Sequence, residues 1–215
     1  DAATTPATQP SVSSSTENTT APATEPEAAA PEISGLTFQE ETELLYAQCF
    51  HLYRYEGGYT LIRIVDGGDF LVVPEGAAVP DDLDGSITVL QQPLNRIYLA
   101  ATSAMALFSA MDAVDAIRMT GVQASGWYIE GLNNGSILFA GKYSAPDYEM
   151  LINEECDLAI ESTMIYHTPK VKEMVEDLGI PVLVDRSSYE SHPLGRTEWI
   201  KLYAALVGKE AEAAA

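Results

Sequence analysis

Between Arg96 and Asp185 the chain repeats one unit about five times: a short apolar strand, a polar or aromatic loop, and an amphipathic helical stretch. Strands that alternate with helices predict a parallel sheet joined by right-handed crossovers. We therefore predict an α/β fold, an open doubly wound and mostly parallel sheet with helices on both faces. In such a sheet the loops that follow the strands gather at one edge, and ligands bind there.

Two further elements are predicted upstream of the repeated units, an N-terminal helix and a β-hairpin. Thr37 and Glu40 have the spacing of a capping box, which predicts a helix through about Phe50. Two strand-like runs, at 59–65 and 70–73, flank a turn that is rich in Gly and Asp, and this pattern predicts the hairpin.

Residues 1–33 are expected to form a disordered tether. They are rich in Ala, Thr, Ser, Pro and Glu and contain no Lys, Arg or aromatic residue. Such a segment cannot bury enough apolar surface to offset its ordering entropy. The roughly 180 residues that follow are enough for one hydrophobic core.

The chain has a formal charge of -21, from 32 acidic against 11 basic residues. Because phosphate recognition needs clustered Lys and Arg, and these are scattered, we expect no nucleic-acid partner. No apolar run is long enough to span a membrane, and the sequence as numbered shows no signal peptide. Cys49 and Cys156 lie far apart without a CxxC motif, so we expect buried free thiols, with a disulfide as the less favoured alternative.

The predicted edge carries polar and aromatic side chains that suit ligand binding. Helices that begin there present unpaired N–H groups to anionic oxygen atoms, and Thr102 or Ser103 either contacts the ligand or simply caps its helix. Aromatic side chains offer flat apolar area to a macrocycle or a chelate. Lys142 and Arg186 are the only cations at predicted strand ends, which disfavours a strongly anionic tris-catecholate chelate. The candidate ligand-binding residues are Thr102, Ser103, Trp127, Tyr128, Lys142, Tyr143, Glu161, Tyr166 and Arg186.

Neither a resident metal ion nor a catalytic centre is expected. A zinc site needs three or four converging ligands, and of the three histidines only His167 lies on the predicted edge. The sequence also lacks the motifs of dinucleotide-binding, P-loop and nucleophile-elbow enzymes. We therefore expect no cofactor, and an α/β enzyme is the least favoured hypothesis.

The run QPLNRIYLAATSAMALF, residues 92–108, resembles the P-x-R-I-V-x-L-S-x-S-x-x-E-x-L-F opening of substrate-binding proteins of ABC importers for siderophore, haem or cobalamin. Residues 145–151 and 155–160 are similar to the family's N-P-x-x-E-x-I and K-P-D-L-V-I motifs, although Cys156 replaces its usual Pro. Residues 171–182 are similar to its helix, L-G-I-P-V turn and next strand. Each motif alone is weakly specific, and their common order and spacing carry the resemblance.

The resemblance implies a two-lobed receptor whose lobes are joined by a rigid helix, and which does no chemistry on its ligand. It implies that residues 34–208 are the N-terminal ligand-binding lobe and that 209–215 begin a truncated interlobe helix, with the second lobe absent from this sequence. It also implies that Glu149 docks on arginines of the permease, the alternative being an ordinary solvated helix residue. For a haem ligand, the candidates for axial ligation are Tyr143, Tyr166 and His167.

The sequence therefore predicts an extracytoplasmic substrate-binding component of an ABC importer, which delivers an iron chelate, haem or a cobalamin-like molecule to a membrane permease. The family implies a lipid anchor upstream of Asp1, at the extracellular face of the cytoplasmic membrane, with the periplasm as the other location. A surface-tethered adhesion or scaffold domain is the main alternative, because the same tether would project such a domain from a surface.

Overall fold

The computed structural model describes residues 30–123 and 126–214, apart from the side chains of residues 127–129. Its N-terminal part is a five-stranded sheet in which consecutive strands are neighbours. These strands are β1 (Phe38–Glu41), β2 (Phe50–Tyr55), β3 (Thr60–Ile64), β4 (Gly68–Val73) and β5 (Ile87–Gln91). Neighbours are antiparallel except β4 and β5, which run parallel.

The predicted β-hairpin is confirmed, because β3 and β4 pair antiparallel along their whole length. Successive residues of β3 face opposite sides of the sheet. Ile62 and Ile64 pack in the central core, whereas Leu61 packs on the outer face with Tyr53 and Tyr55. Both faces of this sheet are therefore apolar, which explains why its strands read as nearly continuous hydrophobic runs.

The helix predicted for 37–50 is wrong. β1 pairs with β2, and the segment 42–49 between them is irregular. Five consecutive N–H groups of this segment, at 45–49, donate to two carboxylates more than 140 residues further along the chain. Glu198 accepts three of them at 2.7–2.9 Å, and Glu190 accepts two at 2.8–3.0 Å. This arrangement, which we call the amide clamp, satisfies the donors that a helix would otherwise pair.

The C-terminal part contains the predicted strands and helices in alternation. Its strands are β6 (Ile97–Leu99), β7 (Ile117–Thr120), β8 (Leu138–Phe139), β9 (Gly141–Lys142), β10 (Ala145–Pro146), β11 (Leu158–Ser162) and β12 (Val182–Asp185). Its helices are α1 (Thr102–Ala110), α2 (Gly126–Asn134), α3 (Tyr148–Asn153), α4 (Pro169–Asp177), α5 (Pro193–Val207) and α6 (Glu210–Ala213). β9 and β10 form a separate small antiparallel pair.

The other five strands form a parallel sheet in the order β12-β11-β6-β7-β8. β6 lies at the centre, and the chain winds outward from it to β7 and β8 before it returns to β11 and β12 on the other side. The direction of winding therefore changes between β6 and β11. The predicted fold class, an open doubly wound parallel sheet, is confirmed.

Helices cover both faces of the parallel sheet. α1 and α5 pack on one face, in a core that also includes residues of the N-terminal sheet. There the ring centre of Phe50, from β2, lies 5.1 Å from that of Trp199, from α5. α5 is thus held between the two sheets. α3 and α4 cover the other face of the parallel sheet, where Leu151 and Val175 are buried.

The predicted start of α1 is corrected by the structure. Thr102 and Ser103 lie inside the first turn of α1, whose N-cap residue is Ala101 and whose start has no side-chain cap hydrogen bond. The start of α3, in contrast, is capped by the side chain of Asp147, which accepts from the N–H of Met150. Thr102 and Ser103 therefore marked the right region of α1 but not its capping residue.

The longest helix of the described residues, α5, has 15 residues. None of the helices in the described ranges has the length and apolar character that crossing a bilayer requires. Gly208 ends α5 with a left-handed φ of 70°, and the short α6 follows it. Most of the predicted tether, residues 1–29, lies outside the described residues. The boundaries at 34, 208 and 209 stay predictions.

Candidate functional site

The candidate site is the carboxyl edge of the parallel sheet. β6 and β11 lie side by side there while their chains wind away in opposite directions, so we call it the switch-point edge. In open α/β sheets ligands bind in the crevice at such a point. The strand ends and loops that form this edge are residues 100–103, 121–123, 140–144, 161–167 and 185–190.

The loop after β6 lies against the end of β11. The N–H groups of Ala100 and Ala101 both donate to the carbonyl oxygen of Ile160, at 2.9 and 3.1 Å. A Cβ atom added to Gly121, just after β7, would lie only 3.0 Å from the Cβ of Ala100. The loops after β6 and β7 are therefore in close contact, and α1 begins beside them with Thr102 exposed.

Asp185, at the end of β12, joins three elements and is only 4% exposed. Its Oδ2 accepts from the hydroxyl of Tyr203 in α5 at 2.6 Å and from that of Ser103 in α1 at 3.3 Å. Its Oδ1 accepts from the N–H of Ser187 at 2.7 Å. Burial, and then the adjacent Asp185 carboxylate, raise the pKa of Tyr203 well above its ordinary value. Ser103, predicted to bind ligand, is thus engaged by Asp185.

Arg186 follows Asp185 and connects this edge to the N-terminal sheet. Its guanidinium carbon lies 4.7 Å from the ring centre of Tyr189, a cation–π distance. Its Nη2 lies 3.5 Å from the carboxylate of Asp66, in the turn between β3 and β4. Its Nε is buried and has no hydrogen-bond partner among the described residues. Tyr189 and Asp66 are site neighbours that the sequence prediction missed, and only tertiary packing brings Asp66 here.

Glu161 lies one residue inside the end of β11 and is 1% exposed. In the described part of the chain, neither of its carboxylate oxygens has a hydrogen-bond partner. Burial raises the pKa of this carboxyl group to about 8, so the neutral form dominates at pH 7. A buried polar group without a partner is costly and calls for a functional explanation. The sequence placed Glu161 at the edge, but its burial is visible only in the structure.

A 3-10 turn, Thr163–His167, follows β11. The hydroxyl of Ser162 accepts from the N–H of Met164 at 3.4 Å, and Ile165 is buried in the core beneath. Met164 and Tyr166 are 47% and 41% exposed. Tyr166, predicted to bind ligand, is therefore available at the edge together with an apolar neighbour that the prediction did not include.

The loop after β8 carries Lys142 and Tyr143. Gly141 has a φ of +81°, and a Cβ atom there would lie 2.5 Å from the carbonyl oxygen of Ala145, so glycine is required. The hydroxyl of Tyr98 donates to the carbonyl oxygen of Gly141 at 3.0 Å. Lys142 is exposed, whereas Tyr143 is half-buried and packs against the core under α3 and α4.

Three other predicted residues lie on helices, Trp127 and Tyr128 in α2 and Glu149 in α3. The side chains of Trp127 and Tyr128 lie outside the described residues, although the backbone of α2 carries both positions after the β7 loop. Glu149 lies in the first turn of α3 and is exposed. Its role in permease docking stays a prediction.

Concave volume alone does not single out the switch-point edge. A groove of about 950 Å³ lies elsewhere, between segment 30–38 and the outer face of the N-terminal sheet. Within the described ranges, no three His, Cys, Asp or Glu side chains converge as metal ligands. The edge is marked instead by its topology, its exposed apolar side chains, the partly buried Arg186 and the unpartnered Glu161.

The fold and this edge define an open α/β domain of the kind that binds ligands beyond the carboxyl ends of its strands. No protein-family model matches the chain. It is similar to uncharacterized lipoprotein MJ0878 of Methanocaldococcus jannaschii, at 27% identity over 173 residues, 72% of this chain and 40% of the relative. Lipoprotein MJ0872 of the same organism is 28% identical over 175 residues, 77% and 44%. The chain spans less than half the length of these relatives.

The structure also resembles solved substrate-binding proteins. With the periplasmic heme-binding protein HutB of Vibrio cholerae it shares a TM-score of 0.45 and 22% identity, over 55% of this chain and 43% of that one. With PiuA, the iron-uptake ABC transporter substrate-binding protein of Streptococcus pneumoniae, the TM-score is 0.46 and the identity 17%, over 56% and 41%.

Proposed function

We propose that this chain is the ligand-binding α/β unit of a substrate-binding protein of an ABC importer, and that its ligand is an iron chelate, haem or a cobalamin-like molecule. The observation that carries the proposal is the switch-point edge, where polar groups and exposed aromatic side chains meet at the reversal of strand order. The sequence motifs in residues 92–182 favour the same class.

The edge has side chains for both the flat and the polar parts of such a ligand. Tyr166 and Tyr189 are exposed aromatic rings, which suit a macrocycle or the apolar surface of a chelate. The Nε–H of Arg186 has no partner among the described residues and could donate to one anionic group. Thr102, at the start of α1, lies where helix N–H groups favour anionic oxygen atoms. We include Ser103, Trp127, Tyr128, Lys142, Tyr143 and Glu161 in the proposed site.

A single edge covers only one side of a ligand. Ligand sites usually bury roughly 70–90% of the ligand surface. The curated relatives are more than twice as long as the part that this chain matches. We therefore expect a second unit of a longer protein to close over the ligand, and the present unit to bind more weakly alone.

The proposed location is the extracellular face of the cytoplasmic membrane, where a lipid anchor upstream of Asp1 would hold the protein. Both curated relatives bear the name lipoprotein. Glu149, exposed in the first turn of α3, is the proposed contact to basic residues of a permease. The proposal includes no chemical step on the ligand.

Titration with three probes tests the proposal: haemin, ferric desferrioxamine B and aquocobalamin. Haemin binding produces a shifted Soret band, and the other two quench tryptophan fluorescence. We expect saturable binding of at least one probe, weakened about tenfold by Tyr166→Ala or Arg186→Gln, since each substitution removes a contact worth about 1.4 kcal/mol.

Leu178→Ala is the matched control, because Leu178 is an equally exposed apolar residue, at 41%, near the opposite edge of the sheet. The Leu178→Ala variant should bind each probe with the same affinity as the unsubstituted chain. Failure of all three probes to bind would reject the proposal and favour the adhesion or scaffold alternative.

A further inference from the structure

Among the described residues of the edge, Glu161 is the acid whose two carboxylate oxygens are both buried without a partner. It faces the side of the sheet that α3 and α4 cover, because Ala159, two residues earlier on β11, is buried in that core. Val184 of β12 lies directly beside it in the parallel register. On the other side, the loop after β6 bonds to the preceding residue, Ile160. Glu161 therefore lies on the face of the sheet covered by α3 and α4, at the point where the strand order reverses.

No charged side chain of the described residues compensates this carboxyl group. Tyr98, Tyr143, Tyr148 and Cys156 are the titratable groups that pack in the same core, and burial raises the pKa of the Cys156 thiol, which keeps it neutral. The charged groups on the surrounding elements lie elsewhere: Lys142, Glu149 and His167 are exposed, and Lys172 pairs with Glu176 on α4. Asp185 and Arg186 have the partners described above. Burial is accordingly the sole cause of the raised pKa of Glu161.

The physical chemistry of this position restricts what can bind there. A charged ligand group brought into these apolar surroundings would carry a large desolvation cost. A protonated carboxyl group offers one donor and one acceptor side by side. An uncharged amide group presents an acceptor and a donor, and a primary amide, which holds both on one edge, would satisfy both oxygen atoms that the described residues leave free.

We propose that Glu161 binds an uncharged amide group of the ligand as a neutral carboxylic acid, and that ligand capture therefore depends on a proton held at this side chain. This inference rests on the proposed function and adds the chemical class of the group that reaches the interior of the edge. The 3-10 turn Thr163–His167, which lies directly after β11, is the segment that would admit it.

Calorimetric titration at several pH values tests the inference with ferric desferrioxamine B and aquocobalamin, which carry amides, and with haemin, which carries carboxylates only. For an amide-bearing probe the affinity should be constant near pH 6–7 and fall about tenfold by pH 9, because the protonated fraction falls by that factor above a pKa of about 8. At pH 9, titrations in buffers of different ionisation enthalpy should show uptake of close to one proton per bound probe.

Glu161→Gln is the decisive variant, because the amide keeps the shape and the donor–acceptor pair but does not titrate. Its affinity should match the original near pH 7, stay constant to pH 9, and show no proton uptake. Glu161→Leu should bind about tenfold or more weakly than the original chain at pH 7, and its affinity should not depend on pH. Circular dichroism and thermal unfolding establish that each variant is folded before its affinity is interpreted.

The outcomes separate this inference from the proposed function. Binding with identical pH profiles for the original chain and Glu161→Gln, or a proton-linked affinity for haemin alone, would overturn the inference and leave the proposed function standing. Absence of binding for all three probes in folded protein would overturn the proposed function, and the inference with it.

Discussion

Two groups of buried acids in this molecule have opposite surroundings. In the amide clamp, Glu190 and Glu198 accept five backbone N–H groups, the indole N–H of Trp199 and the ammonium of Lys201. At the switch-point edge, Glu161 is at least as buried but accepts no hydrogen bond from the described residues.

The pKa values differ accordingly. Burial would raise the pKa of Glu198, but the N–H groups and Lys201 outweigh it and lower the pKa to about 2. Burial acts alone on Glu161 and raises its pKa to about 8. Hydrogen-bond donors thus outweigh burial at Glu198, whereas nothing among the described residues offsets burial at Glu161. The carboxylates of the amide clamp have hydrogen-bond partners and stabilise the fold, whereas Glu161 at the switch-point edge has two oxygen atoms that no described residue bonds.

Glu198→Ala should produce the largest loss of stability. The substitution removes three hydrogen bonds to a charged group and leaves the buried N–H of Ala47 without an acceptor, so we expect the free energy of unfolding to fall by about 4 kcal/mol. Urea unfolding followed by circular dichroism measures it. Glu173→Ala, an exposed position on α4, is the control and should change stability by less than about 0.5 kcal/mol. A loss below about 1 kcal/mol for Glu198→Ala would show that the clamp is not a main source of stability.

The pH dependence of the free energy of unfolding should distinguish Glu198 from Glu161, with the next largest effect. Glu198, whose folded pKa is lowered from 4.5, contributes stability above about pH 4.5 that is lost as the pH falls through about 2. Glu161 acts in the opposite sense, because the folded chain keeps a proton that the unfolded chain releases. The free energy of unfolding should therefore decrease by about 3 kcal/mol between pH 5 and 8 through this group.

Glu161→Gln removes that alkaline loss. Urea unfolding of both proteins at pH 5, 6, 7 and 8 should give a smaller decrease for the variant, by about 3 kcal/mol over the range. Parallel curves would mean that Glu161 ionises normally in the folded chain.

Gly195→Ala should have a smaller effect on the clamp. A Cβ atom at this position, in the first turn of α5, would lie 3.0 Å from the carbonyl oxygen of Tyr46 and 3.2 Å from Oε2 of Glu190. We expect a net loss of about 1 kcal/mol, since a gain in helix propensity offsets part of the crowding. Gly126→Ala, which meets open space in the first turn of α2, should not reduce the melting temperature. An equal response of both variants would argue against close packing at the clamp.

Arg186→Gln should change stability least. Its contact to Asp66 is long, at 3.5 Å, and the Asp66 side chain is exposed, so we expect less than about 1 kcal/mol. Arg63→Gln is the comparison, because Arg63 binds Asp69 through two hydrogen bonds of 2.7 and 2.9 Å and should cost more. Unfolding curves measure both. A larger loss for Arg186→Gln would indicate a structural rather than a ligand-binding role.

The sequence predicted the elements whose signal is local. The parallel strands and the hairpin at β3 and β4 follow from apolar periodicity and turn composition, which lie within each segment. The helix predicted from Thr37 failed because its competitor, the amide clamp, is formed by Glu190 and Glu198, and no local pattern reveals acceptors more than 140 residues away.

The switch-point edge, like the fold, was predictable only where its signal is local. Strand ends identified the loops, and the structure gathers Ser103, Glu161 and Arg186 there. Their roles were not predictable, because they depend on distant partners: Ser103 donates to Asp185, and Arg186 approaches Asp66. The burial of Glu161 likewise depends on the helices packed over β11, which periodicity does not place.

The position of α5 has a mechanical consequence. Trp199 packs on Phe50 of one sheet, Tyr203 donates to Asp185 at the end of the other, and Glu198 of the same helix accepts N–H groups of segment 42–49. A hinge between the two sheets would have to break all three attachments at once. We therefore expect any adjustment of this unit to a bound ligand to occur in the loops of the switch-point edge, while α5 keeps the two sheets in a fixed relative position.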